Sequence, residues 1–372
     1  MQNKQKRFSK LIISSILLSS LVGFEAKAEE TSSVIPPIKI EGYIDSYYAY
    51  DTDPLVMPKG QDKRKENSRA LNAIGYRKNE VNLNTAQLTA STTTDLYRAR
   101  MTVAYGTMPQ QLWFPTEYLS LQEANLGFRL IENLWFDGGI FLTHIGGEAL
   151  LPKNNWLSSL AMTTMFEPFY QGGAKLTYKP TEQVEVQLHA LNGYGLIEAV
   201  NPMPAAGLLV TYTPMSNLAI TYSGYAGNPK ASTDPAAFRS FNDLNFSYQI
   251  TENVGLRGSI DVAYQSDIAS LYHSGFLTAR YNFNPSWSVS ARGEYVYDEK
   301  GMLSAYPNLK DAGIMGGGVT LGGEFKPTDT SYVRLEGRQL FFDANKNKIF
   351  QDLSRNPSSS RFELMGSVGL WF

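Results

Sequence analysis

Apolar and polar residues alternate along much of the chain in segments of about ten residues, a pattern typical of membrane-spanning strands. Within 330–338, for example, Val333 and Leu335 alternate with Arg334 and Glu336. Successive side chains of a strand point to opposite faces. Each such segment therefore predicts a strand with one apolar face and one polar face.

Sixteen segments have this pattern and predict sixteen strands. They are 38–50, 80–91, 96–106, 121–130, 134–143, 169–179, 183–193, 205–213, 217–226, 239–250, 253–264, 273–283, 287–297, 314–326, 330–340 and 361–372. The last segment ends on the aromatic Phe372, and its apolar register predicts that Phe372 points outward.

Short and long connections alternate strictly between these segments, beginning and ending with a long one. An antiparallel, up-and-down transmembrane β-barrel has short periplasmic turns and long extracellular loops. The fold class we predict is therefore an all-β outer-membrane barrel of about sixteen strands, in the envelope of a Gram-negative-type bacterium. A soluble β-sandwich is the alternative, in which the alternating loop lengths would be a coincidence.

Charged residues that face lipid at the bilayer midplane cost about 2–4 kcal/mol each, so the charged face of each strand should line the lumen. Tyrosine and tryptophan residues near strand ends, Trp135 among them, are expected at the membrane interface. The predicted pore-lining residues are Arg98, Arg100, Arg129, Glu185, Arg257, Asp261, Arg280, Arg292, Glu294, Arg334, Glu336, Arg338 and Glu363.

These wall charges have two interpretations. Arginines and glutamates on neighbouring strands can pair with one another to satisfy charges inside the barrel, or they can select ions. Both signs occur, which predicts weak ion selectivity. A barrel of this size encloses an aqueous channel, whereas an eight-stranded barrel is filled by its own side chains.

The third long connection, 144–168, is rich in apolar residues for a segment nominally exposed to water. One interpretation folds it into the lumen as a constriction loop, with Glu148, Lys153 and Glu167 facing basic wall residues such as Arg98, Arg100 and Arg129. The other interpretation is an external lid that packs on its own apolar residues.

The first 28 residues have a basic start, an apolar stretch over 11–24 and a small-x-small site at 26–28. This pattern indicates a secretory signal peptide, because the apolar stretch is too short to span a bilayer. The expected organisation is a cleaved signal peptide over 1–28, a periplasmic segment over 29–37 and a single barrel domain over 38–372. No later apolar stretch is long enough for a transmembrane helix.

The chain without residues 1–28 has 28 basic and 34 acidic residues, a mildly acidic balance that gives no reason to expect nucleic acid as a partner. Seven basic residues occur in the first long connection, where they could contact phosphates of outer-leaflet lipid or a surface polyanion, or belong to a solvated, mobile loop. They are Lys59, Lys63, Arg64, Lys65, Arg69, Arg77 and Lys78.

Catalytic and metal-binding patterns are scarce. The chain has no cysteine, three histidines, no His-Glu-x-x-His motif and no Gly-x-Ser-x-Gly motif. The segment from Asp343 resembles the start of a calcium loop but has Lys348 where the loop needs glycine and Ser354 where it needs glutamate. We therefore expect no enzyme activity, no cofactor and no metal.

Segments 41–48, 79–87 and 132–148 resemble the outer-membrane β-barrel porin-2 family, the OmpL-like bacterial porins. The resemblance covers nearly all of the chain after the signal peptide and implies an outer-membrane porin, with no catalytic residues to transfer. It also implies that the segment ending at Phe372 is the assembly signal read by the barrel-assembly machinery.

The function we expect is passive diffusion of small hydrophilic solutes and ions through a barrel embedded in outer-membrane lipid. Porin architecture suggests a homo-oligomer, most simply a trimer. An adhesin or receptor acting through the long loops is the main alternative, and an outer-membrane lipid hydrolase using serine and histidine is a third.

Overall fold

Sixteen antiparallel strands form one closed barrel in which each strand pairs with the next barrel strand along the chain. The computed structural model describes residues 36–54, 68–112, 120–304 and 313–372, so the predicted signal peptide lies outside the described residues. The prediction of an all-β barrel is confirmed. None of the helices in the described ranges is long and apolar enough to span a bilayer.

The barrel strands agree closely with the predicted segments, and the largest difference is the start of β12 at Ser270 rather than 273. They are β1 Lys39–Asp51, β2 Val81–Thr93, β3 Tyr97–Tyr105, β4 Leu121–Ile131, β5 Leu134–Leu142, β6 Tyr170–Thr181, β7 Val184–Leu191, β8 Ala205–Met215, β9 Leu218–Gly227, β10 Arg239–Gln249, β11 Val254–Gln265, β12 Ser270–Asn282, β13 Trp287–Tyr297, β14 Met315–Phe325, β15 Ser331–Phe342 and β18 Ser360–Trp371. Short strands β16 Phe350–Gln351 and β17 Pro357–Ser358 pair with each other between β15 and β18. Helix α1 spans Thr107–Leu112, and Pro152–Asn154 form one 3₁₀ turn.

The two faces of each strand differ in the way the alternation predicts. On β15, Val333 and Leu335 are exposed on the outside, while Arg334 and Glu336 point inward and are buried. Apolar residues therefore cover the surface that meets lipid, and the charged residues are inside.

The barrel closes between β1 and β18. The backbones of Gly42 and Phe372 exchange two hydrogen bonds, at 3.0 and 3.1 Å. Phe372 points outward, and its ring lies where a Cβ on residue 42 would be. The absence of a side chain at Gly42 therefore lets the aromatic ring cover the seam.

One predicted long connection is short. Strands β11 and β12 pair as far as Gln265 and Ser270, so only Ser266–Ala269 join them. Ala269 has a φ of 49°, the left-handed conformation that closes a tight turn. The alternation of short turns and long loops is therefore interrupted once, at the extracellular end of these two strands.

Candidate functional site

Residues 143–169, which we call the inward loop, leave the wall between β5 and β6 and contact the opposite wall. Ser158 Oγ lies 2.7 Å from Ser367 Oγ on β18. The backbone N–H of Met162 donates to Glu294 on β13 at 2.7 Å. The loop therefore crosses the barrel interior.

Arg292 on β13 is the side chain with the most contacts to this loop. It pairs with Glu148 at 3.0 Å and donates to the backbone oxygens of Ser159 at 2.7 Å and Leu160 at 3.3 Å. The guanidinium is buried. Hydrogen bonds from an ionised donor are stronger than neutral ones, so Arg292 is a strong anchor for the loop.

Two residues of β15 hold the loop tip. Glu336 accepts the backbone N–H groups of Ser158 and Ser159, the second at 3.1 Å, and also the Ser159 hydroxyl at 2.7 Å. Arg334 donates to the backbone oxygen of Asn155 at 2.8 Å. Glu336 and Arg334 of one strand thus provide hydrogen-bond partners for backbone N–H and C=O groups of a loop that is buried away from water.

Glycines of β14 make room for this contact. Leu157 of the loop packs against Gly322, where a Cβ would overlap with the leucine side chain. Gly318 lies between Leu340 and Glu294 in the same way. These inward-facing glycines allow close approach of the loop and of neighbouring side chains.

Ion pairs continue from the loop around the barrel wall. Arg338 joins Glu294 at 2.8 Å and Glu363 at 3.7 Å, and Glu363 also pairs with Arg361 and, at 2.9 Å, with Arg69. These groups are all buried. A buried charge is tolerated when it is paired and hydrogen-bonded. The charged groups in this part of the wall meet that condition because they form one network of ion pairs.

The predicted pore-lining residues all lie on the inward face of their strands, but their surroundings divide them into two sets. Those still in contact with water are Arg98, Arg100, Arg129, Glu185, Arg257 and Arg280. Those buried in contacts with the loops or with one another are Asp261, Arg292, Glu294, Arg334, Glu336, Arg338 and Glu363. Their roles in a pore stay predictions.

Glu148 contacts a basic wall residue, as the lumen interpretation predicts, but this residue is not one of Arg98, Arg100 and Arg129. Glu148 pairs with Arg292 on the far wall, and the Lys153 ammonium lies 5.3 Å from the centre of the Tyr43 ring. Glu167 lies against Gly146, which has a φ of 110°, and a Cβ there would overlap with its carboxylate.

The near-wall arginines have partners of their own. Arg98 donates to Asp137 at 2.6 Å, and its guanidinium lies 4.6 Å from the centre of the Trp135 ring. Arg100 donates to Glu123 at 2.7 Å. Trp135 therefore belongs to the lumen face and not to the membrane interface, because the pairing of β4 with β5 turns it toward Arg98.

A group of buried carboxyls lies under the inward loop. Glu167 is close to Asp261, Asp243 and Glu148. Burial, and then the negative charges of Asp243 and Glu148, raise the pKa of Glu167 well above its ordinary 4.5. No group of three His, Cys, Asp or Glu side chains within the described ranges is arranged to hold a metal ion.

Two cavities adjoin the loop tip. The first, about 570 Å³, lies between the loop and the wall of β1–β4 and β8–β10, and its charged lining consists of Glu41, Glu123, Glu148 and Glu167 together with Arg100 and Lys153. The second, about 530 Å³, lies between the tip and the periplasmic ends of β10–β15 and is mainly basic. Lys153 and Asn154 line both, so the loop tip separates a cavity of mixed charge from a mainly basic one.

The extracellular half of the interior is packed with apolar side chains, a feature that the alternation did not predict. Phe241 and Tyr272 of the wall meet Met162 of the inward loop, Ile314 and Phe350 in one buried cluster. The last two come from the loops after β13 and β15. Several loops therefore fold back into the barrel mouth.

The first long connection contributes to this packing too. Lys78 pairs with Asp51 at 2.7 Å and Arg69 pairs with Glu363, and both cations are buried. These two residues therefore do not form the exposed basic surface considered above. Arg77 is partly buried and pairs with Glu80. The other four, Lys59, Lys63, Arg64 and Lys65, lie outside the described residues.

Among the described residues, the side chain of His144 forms a hydrogen bond with the backbone oxygen of Gly224 and not with a serine. The rings of His144 and His189 stack in the interior with centroids 4.1 Å apart, and burial lowers the pKa of His144 below its ordinary 6.5. His273 points outward and stacks on Tyr297, with ring centroids 4.9 Å apart.

The segment from Asp343, which resembles the start of a calcium loop, forms a turn of the chain. The carboxylate of Asp343 accepts the backbone N–H of Asn345 at 2.8 Å.

Comparison with known protein families identifies the chain. The family described as "Putative beta-barrel porin-2, OmpL-like" matches residues 37–372. The chain belongs to this family. The porin-2 chain is thus an outer-membrane, multi-pass β-barrel, as the sequence predicted.

Solved porin structures share the fold of this porin-2 chain at low sequence identity. An anion-selective porin from Comamonas acidovorans is 11% identical with a TM-score of 0.61, covering 91% of this chain and 100% of that chain. The outer membrane channel DcaP of Acinetobacter baumannii is 11% identical with a TM-score of 0.58, covering 95% and 100%. Salmonella typhi OmpF, in complex with daunomycin, is 12% identical with a TM-score of 0.57, covering 91% and 98%. No curated protein sequence matches the chain.

Proposed function

We propose that this porin is a diffusion channel for small hydrophilic solutes and ions, and that the inward loop sets the width of the path. The observation that carries the proposal is the loop itself, which crosses the interior and is held there by Arg292, Arg334 and Glu336. The two cavities beside its tip supply the water-filled part of the path. Charged groups at such a narrow point govern which solutes pass.

The packed extracellular half gives the loops a second role in this proposal. Solutes that enter from outside meet the apolar cluster around Phe241 and Tyr272 before they reach the cavities. Passage therefore depends on movement of the loops that supply Met162, Ile314 and Phe350. We propose that the packed arrangement is the narrow state of the channel and that loop movement on the microsecond to second scale widens it.

Swelling of liposomes that contain the purified, folded protein tests this function. We expect swelling in iso-osmotic arabinose, slower swelling in sucrose and little in stachyose, since a constricted lumen sorts neutral solutes by size. Swelling equal to that of protein-free liposomes in all three sugars would contradict the proposal. Neutral sugars keep the test independent of ion selectivity.

A surface adhesin or receptor is the second candidate, and exposed apolar side chains on the extracellular loops favour it. Met203, Phe238 and Leu353 are all more than half exposed outside the strands. Such residues can anchor a protein partner. Replacement of the exposed Leu353 with serine should weaken binding to a partner and leave sugar uptake intact if this candidate is right. Assembly as a trimer stays a prediction from porin architecture.

A further inference from the structure

The second cavity, which we call the basic cavity, has an excess of positive charge. It lies between the tip of the inward loop and the periplasmic ends of β10–β15, with a volume of about 530 Å³. Its ionisable lining consists of five cations and one carboxylate: Lys153, Arg257, Arg280, Lys326, Arg334 and Glu252. Neutral amides supply much of the remaining polar surface, including Asn253 and Asn282.

One further carboxylate, that of Glu324, lies behind the lining, and it does not neutralise the positive charge of the cavity. Glu324 is buried, and it accepts Arg280 and Arg334 at 2.6 Å each, with Lys326 at 3.9 Å. One negative charge is therefore shared by three cations. Further donors of Arg334 are used by the backbone of the inward loop, so Arg334 shapes the cavity while its neighbours keep capacity for a ligand.

Arg257 is the lining side chain best placed to bind an anion. Its guanidinium lies 4.4 Å from the centre of the Trp156 ring, and one nitrogen donates to the backbone oxygen of Asn154 at 3.0 Å. Its buried Nε has no hydrogen-bond partner, and a ligand in the cavity would reach the guanidinium through its terminal nitrogens. Arg257 also forms no ion pair with any carboxylate in the part of the chain that the structure describes. A fixed, planar guanidinium with a free donor suits a carboxylate or phosphate oxygen.

We propose that the basic cavity binds a small dianion that carries carboxylate or phosphate oxygens, with Arg257 and Lys326 as its main cationic contacts. The volume accommodates a phosphate ion or a four-carbon dicarboxylate and excludes a macromolecule. As a solute site of the channel, this assignment rests on the proposed function, although binding does not require conduction.

Binding can be measured on the folded barrel in detergent, where no solute flux is needed. Trp156 lies against Arg257, so its fluorescence should change as an anion fills the cavity. Succinate and inorganic phosphate are titrated separately, with butane-1,4-diol as an uncharged analogue of succinate. We expect a saturable change with at least one dianion, none with the diol, and weaker binding as sodium chloride is raised. Saturation by succinate alone or by phosphate alone identifies which oxyanion the site prefers.

Three variants test the residues. Arg257→Gln should raise the Kd about tenfold or more, because a charge-assisted contact is lost. Lys326→Gln should raise it severalfold, and this side chain is 36% exposed, so the barrel should fold normally. Lys346→Gln removes the same charge from an exposed loop pair and should leave the Kd unchanged.

The assignment is overturned if neither dianion gives a saturable signal, or if Lys326→Gln and Arg257→Gln bind as tightly as the wild type. Calorimetry of the same titrations guards against a fluorescence change that is unrelated to binding. Saturable binding in a protein that permits no sugar uptake would keep the anion site and refute the diffusion channel. The two proposals can therefore fail separately.

Discussion

Replacing Arg292 with alanine should release the inward loop from the far wall of the barrel. The guanidinium is the loop's charged anchor, with contacts to Glu148, to the backbone oxygen of Ser159 and to that of Leu160. The substitution removes all of these contacts together. It also leaves Glu294 with Arg338 as its remaining cationic partner among the described residues.

The free energy lost in loop attachment can be estimated from the contacts that Glu148 keeps in the variant. Removing one partner of a buried ion pair costs about 3–5 kcal/mol. Glu148 keeps the N–H of Ala161 at 2.6 Å and the hydroxyl of Thr164 at 3.1 Å, which places the expected cost near the lower end. A loss of about 3 kcal/mol lowers the ratio of attached to released loop by about a hundredfold.

Single-channel recording in planar bilayers measures the result. We expect Arg292→Ala to give larger and noisier conductance steps than the wild type, and Arg292→Lys to fall between them because it keeps the charge without the planar fork. Lys346→Ala, which breaks an exposed pair at 2.8 Å with Glu299, should behave as the wild type. Conductance of Arg292→Ala equal to the wild type, with normal barrel mobility on a gel, would refute the anchoring role.

Three other predictions follow from buried or covering groups. Burial and like charge raise the pKa of Glu167 above 4.5, so the folded state holds a proton that the unfolded chain releases. The contribution of this carboxyl to stability should be complete below about pH 4.5 and be lost as the pH rises. Glu167→Gln should therefore remove that loss from thermal unfolding measured between about pH 4 and pH 8. Phe372→Ala uncovers Gly42 and should lower barrel stability by about 1 kcal/mol, since part of the ring is exposed, and an unchanged unfolding midpoint in urea would argue against the seam contact. Asp51→Asn deprives Lys78 of its carboxylate at 2.7 Å and should cost about 3 kcal/mol of loop attachment, seen as faster trypsin cleavage within 68–80; cleavage at the wild-type rate would contradict it.

The strands could be predicted from the sequence because one face of each strand meets lipid and the other meets the charged interior. Apolar and polar residues must therefore alternate with a period of two. A register error by one residue would place Arg334 and Glu336 in lipid, so the alternation marks the faces strongly. The turn Ser266–Ala269 was missed because strand propensity ends before the hydrogen-bonded ladder does, and Ala269 gives no sign of its left-handed conformation. Strand bounds are accordingly less certain than strand existence.

The partners of the inward loop could not be predicted in this way. Alternation identifies the face of a residue but not which residue it meets across the barrel. Glu148 was expected to face the near-wall arginines, yet it reaches Arg292, because Arg98 and Arg100 already pair with acids of β5 and β4. Contacts between distant segments depend on the path of the loop, which a local pattern does not contain.

The apolar cluster in the extracellular half could not be predicted for the same reason, because loops that are distant in the sequence form it. Phe241 and Tyr272 lie on the inward face of their strands, where polar residues were expected. In the sequence, these two residues show only as an interruption of the alternation near the extracellular ends of the strands. Read together with the apolar residues of 144–168, such interruptions predict loops that fold into the mouth of a barrel.

The most direct test of the diffusion channel is the conductance of the purified wild-type protein in a planar bilayer, with a salt gradient applied across it. Discrete steps, with a small reversal potential that indicates weak ion selectivity, are the predicted result. A protein whose gel mobility indicates a folded barrel but whose bilayers show no steps above the protein-free baseline would contradict the account.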